Sequence, residues 1–498
     1  MRPPLGLVVF VVGAASLGAE IAAARLLAPY YGASTIIWAN TIATVLVALS
    51  AGYALGGRLA DRAPFMQRLC QIVAAAAVLL GAVPFLSGPL LRVASTAIGS
   101  LSVGAFFGSL LAVLALVAVP VLLLGTVAPF AIRLSLERTE DAGRVSGRLY
   151  ALSTAGSLVG TFLAALLLIP FAGTHRTFLA FALALALVAV AGLPRRYLAV
   201  PLVLAVLLVL PPGGTDLSIA GGGRVIYEAE TQYQYARVVE QPGGERWLQL
   251  NEGVATHSLY VPGSYLTGNY WDEFLVLPFA VRPGPPERIA ILGDAAGTTA
   301  RAYGHYFPRT TIDAVELDGQ LTEIGRRFFA LGQRPRLHTI TADARPWLAS
   351  VSAHYDAIFL DAYRQPYIPF YLATREFFAL LRSHLRPGGL VAVNVGHPSG
   401  STALERATAA TLRAVFPFVA RDPAQPTNTL LLASSSPMTP STLSAAAPSL
   451  PAQLRPIAAA SAGRLGDALR GGPVYSDDRA PVEWLVDESI IGYLARGR

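Results

Sequence analysis

The sequence predicts an α-helical multi-span membrane domain followed by an α/β Rossmann-like domain, with a small N-terminal β-strand unit leading into the latter. Three observations carry this. Mean hydropathy is +0.50 and charged residues are only 14% of the chain, which is too apolar for one ordinary soluble domain. The apolar residues are concentrated before about Pro212, and short alternating strands begin after Pro211-Pro212-Gly213-Gly214. Third, the segment Arg288-Ile289-Ala290-Ile291-Leu292-Gly293-Asp294-Ala295-Ala296-Gly297 runs from a hydrophobic strand into a glycine turn. The expected division is 1–213, 224–265 and 266–498.

Candidate spans fall at 5–28, 36–56, 70–91, 105–125, 149–171, 177–193 and 198–211, most of them near the ~20 apolar residues that cross a bilayer. Gly156, Gly160 and Ala164 recur every fourth position, a spacing that lets helices pack closely. Glu20 and Arg25 are ionisable at membrane depth; a neighbouring helix for Glu20 and interfacial snorkelling for Arg25 are the plain expectations. The turn Gly56-Gly57-Arg58-Leu59-Ala60-Asp61-Arg62 suits a compact, charge-compensated helix hairpin.

The β unit is expected at Arg224–Glu230, Tyr235–Glu240, Arg246–Leu250 and Ala255–Tyr260, with turns at Gly243-Gly244 and Asn251-Glu252-Gly253. The core then alternates: strands 288–292, 310–316, 337–341, 355–360 and 389–395, with helices near 297–305, 319–330, 374–385 and 402–415. A last hairpin is expected near 416–420 and 428–434. Residues 435–460, rich in Ser, Pro and Ala, read as a loose excursion.

Glycines at Gly293 and Gly297 let backbone approach a nucleoside, and an acid ending the next strand, Glu316, takes ribose hydroxyls. Asp318 is expected to face solvent. The strand Tyr355-Asp356-Ala357-Ile358-Phe359-Leu360 delivers Asp361 to the carboxyl end of the sheet, where ligands bind. Each acid alone also suits a helix cap or a surface turn. Joined at successive strand ends, they point to nucleoside binding.

Every basic side chain other than histidine is arginine, and the arginines are scattered rather than striped with aromatics, which argues against nucleic acid. Cys70 is the only cysteine, so disulfides and thiol metal sites are excluded. The seven histidines lack ligand spacing, no metal is expected, and His305 and His338 are read as non-catalytic. Arg58, Arg62, Arg68, Arg133, Arg138, Arg144, Arg148, Arg195 and Arg196 lie on one set of loops, while Arg92 and Arg176 lie on the other. This places the N-terminus in the cytoplasm. Seven crossings would leave the nucleoside-binding domain outside, away from cytosolic nucleosides. Segment 198–211 is short and carries Pro201, so it is read as interfacial or re-entrant, leaving six spans and a cytoplasmic domain.

From about 227 to 435 the chain resembles the spermidine synthase family of aminopropyltransferases, and with its membrane block it resembles their bacterial membrane-bound branch. The resemblance implies a class I methyltransferase fold and a multi-pass protein of the bacterial inner membrane. Its co-substrate would be decarboxylated S-adenosylmethionine and its acceptor a small-molecule amine; the oligomeric state is left open. Gln234 matches the Tyr-Gln element beside the co-substrate, and Gly293 to Gly297 the glycine-rich loop, with Ala296 at its usual Asp position. Glu316 falls on the ribose acid, Asp343 on the acid near adenine, and Asp361 on the acid that deprotonates or positions the attacking amine. Departures fall on the amine side: Arg364 replaces the second Asp of the Asp-Ser-Ser-Asp-Pro motif, and Tyr270-Trp271 replaces a Tyr-His pair. Tyr270, Glu273, Tyr363, Arg364 and Asp477 are the candidate acceptor-side residues, with Asp272 a further acid. Arg364 would oppose a second cation, which puts putrescine in doubt. Methyl transfer from S-adenosylmethionine, and polyamine transport or sensing by a membrane protein, are the competing functions.

Overall fold

The computed structural model describes residues 3–31, 35–98, 103–210, 222–251, 255–363, 368–482 and 485. Two compact units result: 1–218 with 229–235, and 219–228 with 236–498.

The first unit is a helical bundle. Among the described residues, five helical stretches are long and apolar enough to cross a membrane: Leu5–Ala28, Ile37–Arg62, Met66–Leu91, Phe107–Ser135 and Thr139–Ala172. Thr174–Val190 is shorter, and Ala199–Val209 has 11 residues, so at ~1.5 Å per residue it extends only about half of a ~30 Å hydrocarbon layer. Large apolar side chains face outward, among them Phe171 (83% exposed) and Val209 (79%). The fourth-residue glycine spacing has a direct cause. A Cβ on Gly156 would lie 2.0 Å from the Phe10 carbonyl oxygen and one on Gly160 2.1 Å from that of Ala14, so only glycine permits this crossing. Segment 229–235 belongs to this unit: the Thr174 amide donates to the Glu230 carboxylate at 2.8 Å, and the Arg25 guanidinium to the Thr231 carbonyl. Arg25 is therefore hydrogen-bonded to backbone instead of snorkelling.

The remaining elements build two sheets. Strands β1 (Arg224–Glu230), β2 (Tyr235–Glu240), β3 (Arg246–Leu250) and β4 (Thr256–Tyr260) form a four-stranded sheet in sequential order. The larger sheet contains β5 (Arg288–Leu292), β6 (Thr311–Glu316), β7 (Leu337–Thr341), β8 (Tyr355–Leu360), β9 (Leu385–Gly396), β10 (Phe418–Gln425), β11 (Asn428–Ser434) and β12 (Gly466–Asp467). Its order is β12-β10-β11-β9-β8-β5-β6-β7. Strands β7, β6, β5, β8 and β9 run parallel, and β11 and β10 close that side antiparallel.

Central strands are apolar on both faces because both faces are covered. Ile289, Ile291 and Phe359 pack with Phe274, Phe279 and Tyr303 on one side; Ala290, Leu292 and Leu360 pack with Phe377, Phe378 and Leu404 on the other. The chain order reverses between β5 and β8, and in doubly wound sheets ligands bind at the strands' carboxyl ends beside such a switch point.

Residues 435–460 are not a loose excursion. They form helices at Pro440–Ala446 and Arg455–Arg464 and a short helical turn at Ala452–Leu454, and Leu443, Leu454 and Ala458 are fully buried in the first of those two cores. Thr439 accepts the Thr442 amide at 3.1 Å, and prolines sit in the first turn of each helix, where a missing N–H costs nothing.

Candidate functional site

The candidate site is built by residues at the carboxyl ends of β5, β6, β7 and β8. Gly293 leaves β5 at φ +90°, its amide bonded to the Val315 carbonyl. A Cβ there would stand 2.6 Å from the Asp361 carbonyl oxygen, so the approach of the two strand ends demands glycine. Gly297 has φ +87° and starts the helix Thr298–Tyr306. Between them, Ala295 donates its amide to the Glu316 carboxylate at 2.9 Å, and Asp318 donates its own at 3.0 Å. Burial pushes Glu316 up to about 7 against those two amides. Asp318 is 2% exposed and caps the helix Gly319–Phe328 through the Gln320 amide, so it does not face solvent as the pattern suggested.

Asp361 is held by three side-chain donors. Its carboxylate accepts from Tyr270 Oη at 3.0 Å, Trp271 Nε1 at 3.1 Å and Asn394 Nδ2 at 2.7 Å. Burial pushes its carboxyl up to about 7, and the three donors pull it back down. Tyr270 and Trp271 come from the short helix Tyr270–Leu275; burial first, and the Asp361 charge second, raise the Tyr270 hydroxyl well above its ordinary range. Asn394 is oriented by Asn428, which donates to its Oδ1 at 3.0 Å. Tyr363 donates to the Asn394 carbonyl at 3.0 Å and accepts the Gly396 amide, so it braces β9.

Asp343 caps the helix Ala344–Ser350 through the Arg345 amide and accepts Tyr371 Oη at 2.7 Å. Asp477 joins this corner and not that of Asp361. Arg345 grips it with two hydrogen bonds of 2.7 and 2.6 Å, and Thr374 adds a third. Glu273, expected as an open acid for an amine, is bonded to Arg464 at 2.9 Å, which also holds Asp422. Burial still pushes Glu273 up to about 7. Asp272 closes the Thr267–Gly268 turn. Gln234 lies in the turn between β1 and β2, in the first unit, its backbone closed onto Thr231. Arg364 lies outside the described residues. His338 pairs with Asp313 and His305 stacks on Tyr265.

Sequence reasoning passed over Asn394 and Asp294. The available signal for Asn394 was a lone amide near the end of the apolar run Val391-Ala392-Val393-Asn394-Val395. Asp294 sits directly after Gly293, 8% exposed, with one carboxylate oxygen unpartnered. Among the described residues no group of three or more His, Cys, Asp or Glu could hold a metal ion.

The sheet order defines a doubly wound α/β domain whose acids at successive strand ends mark a candidate ligand site at its switch point. Residues 275–442 match the family model of the spermine/spermidine synthase domain, so the carboxyl-terminal half carries that domain. A probable polyamine aminopropyl transferase of Bifidobacterium longum is 34% identical over 191 residues, covering 38% of this chain and 42% of that protein. Polyamine aminopropyltransferase 2 of Pseudomonas aeruginosa is 30% identical over 208 residues, covering 39% and 56%. The chain thus spans about half the length of these curated relatives. Among solved structures, a probable spermidine synthase from Corynebacterium glutamicum aligns over 53% of this chain and all of its own, at 22% identity and TM-score 0.40.

Proposed function

We propose that this protein is a polyamine aminopropyltransferase that moves an aminopropyl group from decarboxylated S-adenosylmethionine to an amine and releases 5′-methylthioadenosine. The observation that carries the reading is the Asp361 carboxylate at the end of β8, fixed by Tyr270, Trp271 and Asn394 within a spermidine synthase domain. In this reading Gly293 and Gly297 allow the nucleoside to approach, Glu316 takes the ribose hydroxyls, and Asp343 flanks the base. The neutral amine attacks the methylene carbon beside the sulfonium. The C–N bond forms as the C–S bond breaks, and sulfur keeps the electron pair as a neutral thioether. The new nitrogen's proton passes to Asp361. Sulfonium is an activated leaving group, so the protein supplies mainly proximity and an unprotonated nucleophile.

On the acceptor side we assign Tyr270 and Tyr363 to the pocket wall. Glu273 enters as an acid partly neutralised by Arg464, and Arg364 in the place of a second acid favours an acceptor other than a simple diamine. The helical unit is read as a multi-pass anchor in a bacterial inner membrane, with the domain in the cytoplasm. Its outward apolar side chains and the arginines of alternate loops support that reading.

The test incubates detergent-purified protein with decarboxylated S-adenosylmethionine and an amine panel, and follows methylthioadenosine by mass spectrometry. Amine-dependent release, with the acceptor's mass increased by one aminopropyl group, is the expected result. Methylated acceptor from S-adenosylmethionine with no methylthioadenosine would overturn it.

A further inference from the structure

Inside the helical unit, four hydroxyl side chains meet around one cavity of about 50 Å³: Ser16, Tyr53, Ser153 and Ser157, on walls that include Val12 and Leu124. Ser16 is 4% exposed, and its Oγ is buried with no hydrogen-bond partner. Ser157 donates to the Gly13 carbonyl at 3.3 Å. Gly125 also lines the cavity, and Pro129, four residues on, has no N–H to give its carbonyl. Ser16 lies near the centre of Leu5–Ala28, and Ser153 and Ser157 flank the centre of Thr139–Ala172.

Glu20 follows Ser16 by one helical turn on the same face. Helical side chains lean toward the N-terminus, so its carboxylate covers the turn that carries Ser16. Ser16, Ala23 and Ala24 around it are buried, whereas Glu20 stays partly exposed. Among the described residues Glu20 has no ion pair and no hydrogen bond, and Arg25 is bonded to the Thr231 carbonyl. Acids at the ends of the apolar stretches are paired instead, Asp61 with Arg133 and Asp141 with Arg144. An unpaired acid at such a depth calls for a cation.

The carboxylate and the hydroxyls stand about one turn apart, roughly 6 Å along the axis. A compact metal ion touches only one of these two groups. A lipid headgroup belongs at the interface, not at mid-span. A linear diamine reaches both, with its methylenes against Val12 and Leu124.

We propose that the helical unit binds a linear diamine, one ammonium on Glu20 and the other amino group among Ser16, Ser153 and Ser157. Every residue of this site belongs to the helical unit, so the inference is independent of the aminopropyl-transfer reading.

The experiment is equilibrium dialysis of labelled 1,4-diaminobutane against the full-length protein in detergent. Sodium at constant ionic strength and phosphatidylethanolamine are the competitors. Glu20→Gln should weaken a component of binding about tenfold or more, the scale of a charge-assisted hydrogen bond, and Ser16→Ala should weaken the same component a few-fold. Asp361→Asn should leave that component in place, which separates it from amine held by the α/β unit. Ser16→Ala removes only a hydroxyl, so it carries the test if Glu20→Gln does not fold; methylthioadenosine binding and elution volume report folding. Unchanged binding in both helical variants overturns the site, as does loss of all diamine binding in Asp361→Asn. Loss in Glu20→Gln alone overturns the diamine, since the hydroxyl end then holds nothing. Displacement by sodium or by phosphatidylethanolamine would give the site to a metal ion or a headgroup. Turnover is not the readout, so failure of aminopropyl transfer would leave this result standing.

Discussion

Asp361 sits where burial and hydrogen bonding oppose each other, and burial wins by enough to raise its carboxyl to about 7. General-base action requires the ionised form, so kcat/KM should fall as pH drops below about 7, read from a pH–rate profile. Asp361→Asn should lower turnover by about 10²–10⁴-fold with methylthioadenosine affinity retained. The same shift bears on stability, and its sign is opposite to that of an ion-paired acid. The folded carboxyl holds its proton to about 7, whereas an unperturbed one releases it near 3.8. Between those values the native state binds more protons, so ionisation destabilises the fold as pH rises. Asp361→Asn should therefore gain stability relative to wild type between pH 5 and 8, measured by denaturant melts. No gain would place the carboxyl in a more polar setting. A cationic donor bound near Asp294, Glu316 and Asp361 should also expel protons at neutral pH, visible as a buffer-dependent binding enthalpy.

At the level of elements, the strand ends do the positioning. Gly293 is required twice over: its φ of +90° disfavours a side chain, and a Cβ would strike the backbone at Asp361 and Ala362. Gly293→Ala should cost roughly 1–3 kcal/mol or more in stability by thermal or chemical melts and lower turnover, since the clash pushes Asp361 itself. Asn394 acts through Asp361, bridging β9 to β8 by a 2.7 Å hydrogen bond. Asn394→Ala should lower kcat while leaving methylthioadenosine affinity unchanged; a change in nucleoside affinity alone would make it a pocket wall. The strands β1, β2, β3, β5, β7 and β8 were legible to the residue, because alternation and apolar runs bounded by turn residues are local signals. The segment 435–460 misled because serine, proline and alanine suit loops and helix starts alike, and what decided between them was the sheet face that Leu443 and Leu454 bury.

Across the whole molecule, two solvents are implied by one chain. The helical unit turns Phe171, Val209 and Leu202 outward, whereas the α/β unit buries Phe274, Phe279, Phe359, Phe377 and Phe378. The membrane reading predicts retention in the bilayer after alkaline carbonate extraction. Sidedness can be read because Cys70 is the only cysteine: in a Cys70→Ser background, Ser435→Cys should react with an impermeant maleimide only after the inner membrane is opened. Labelling in intact spheroplasts would put the domain outside. The sequence by itself determined the two-part architecture, the strand order along the chain, and the acids Glu316, Asp343 and Asp361 at successive strand ends. These follow from hydropathy, periodicity and turn chemistry over short stretches. Only the tertiary structure decided the partners. Glu273 meets Arg464 across 191 residues and Asp477 meets Arg345 across 132, while Asp294 meets no cation among the described residues. A carboxylate's charge balance depends on which distant side chain the fold brings beside it, and no local pattern encodes that.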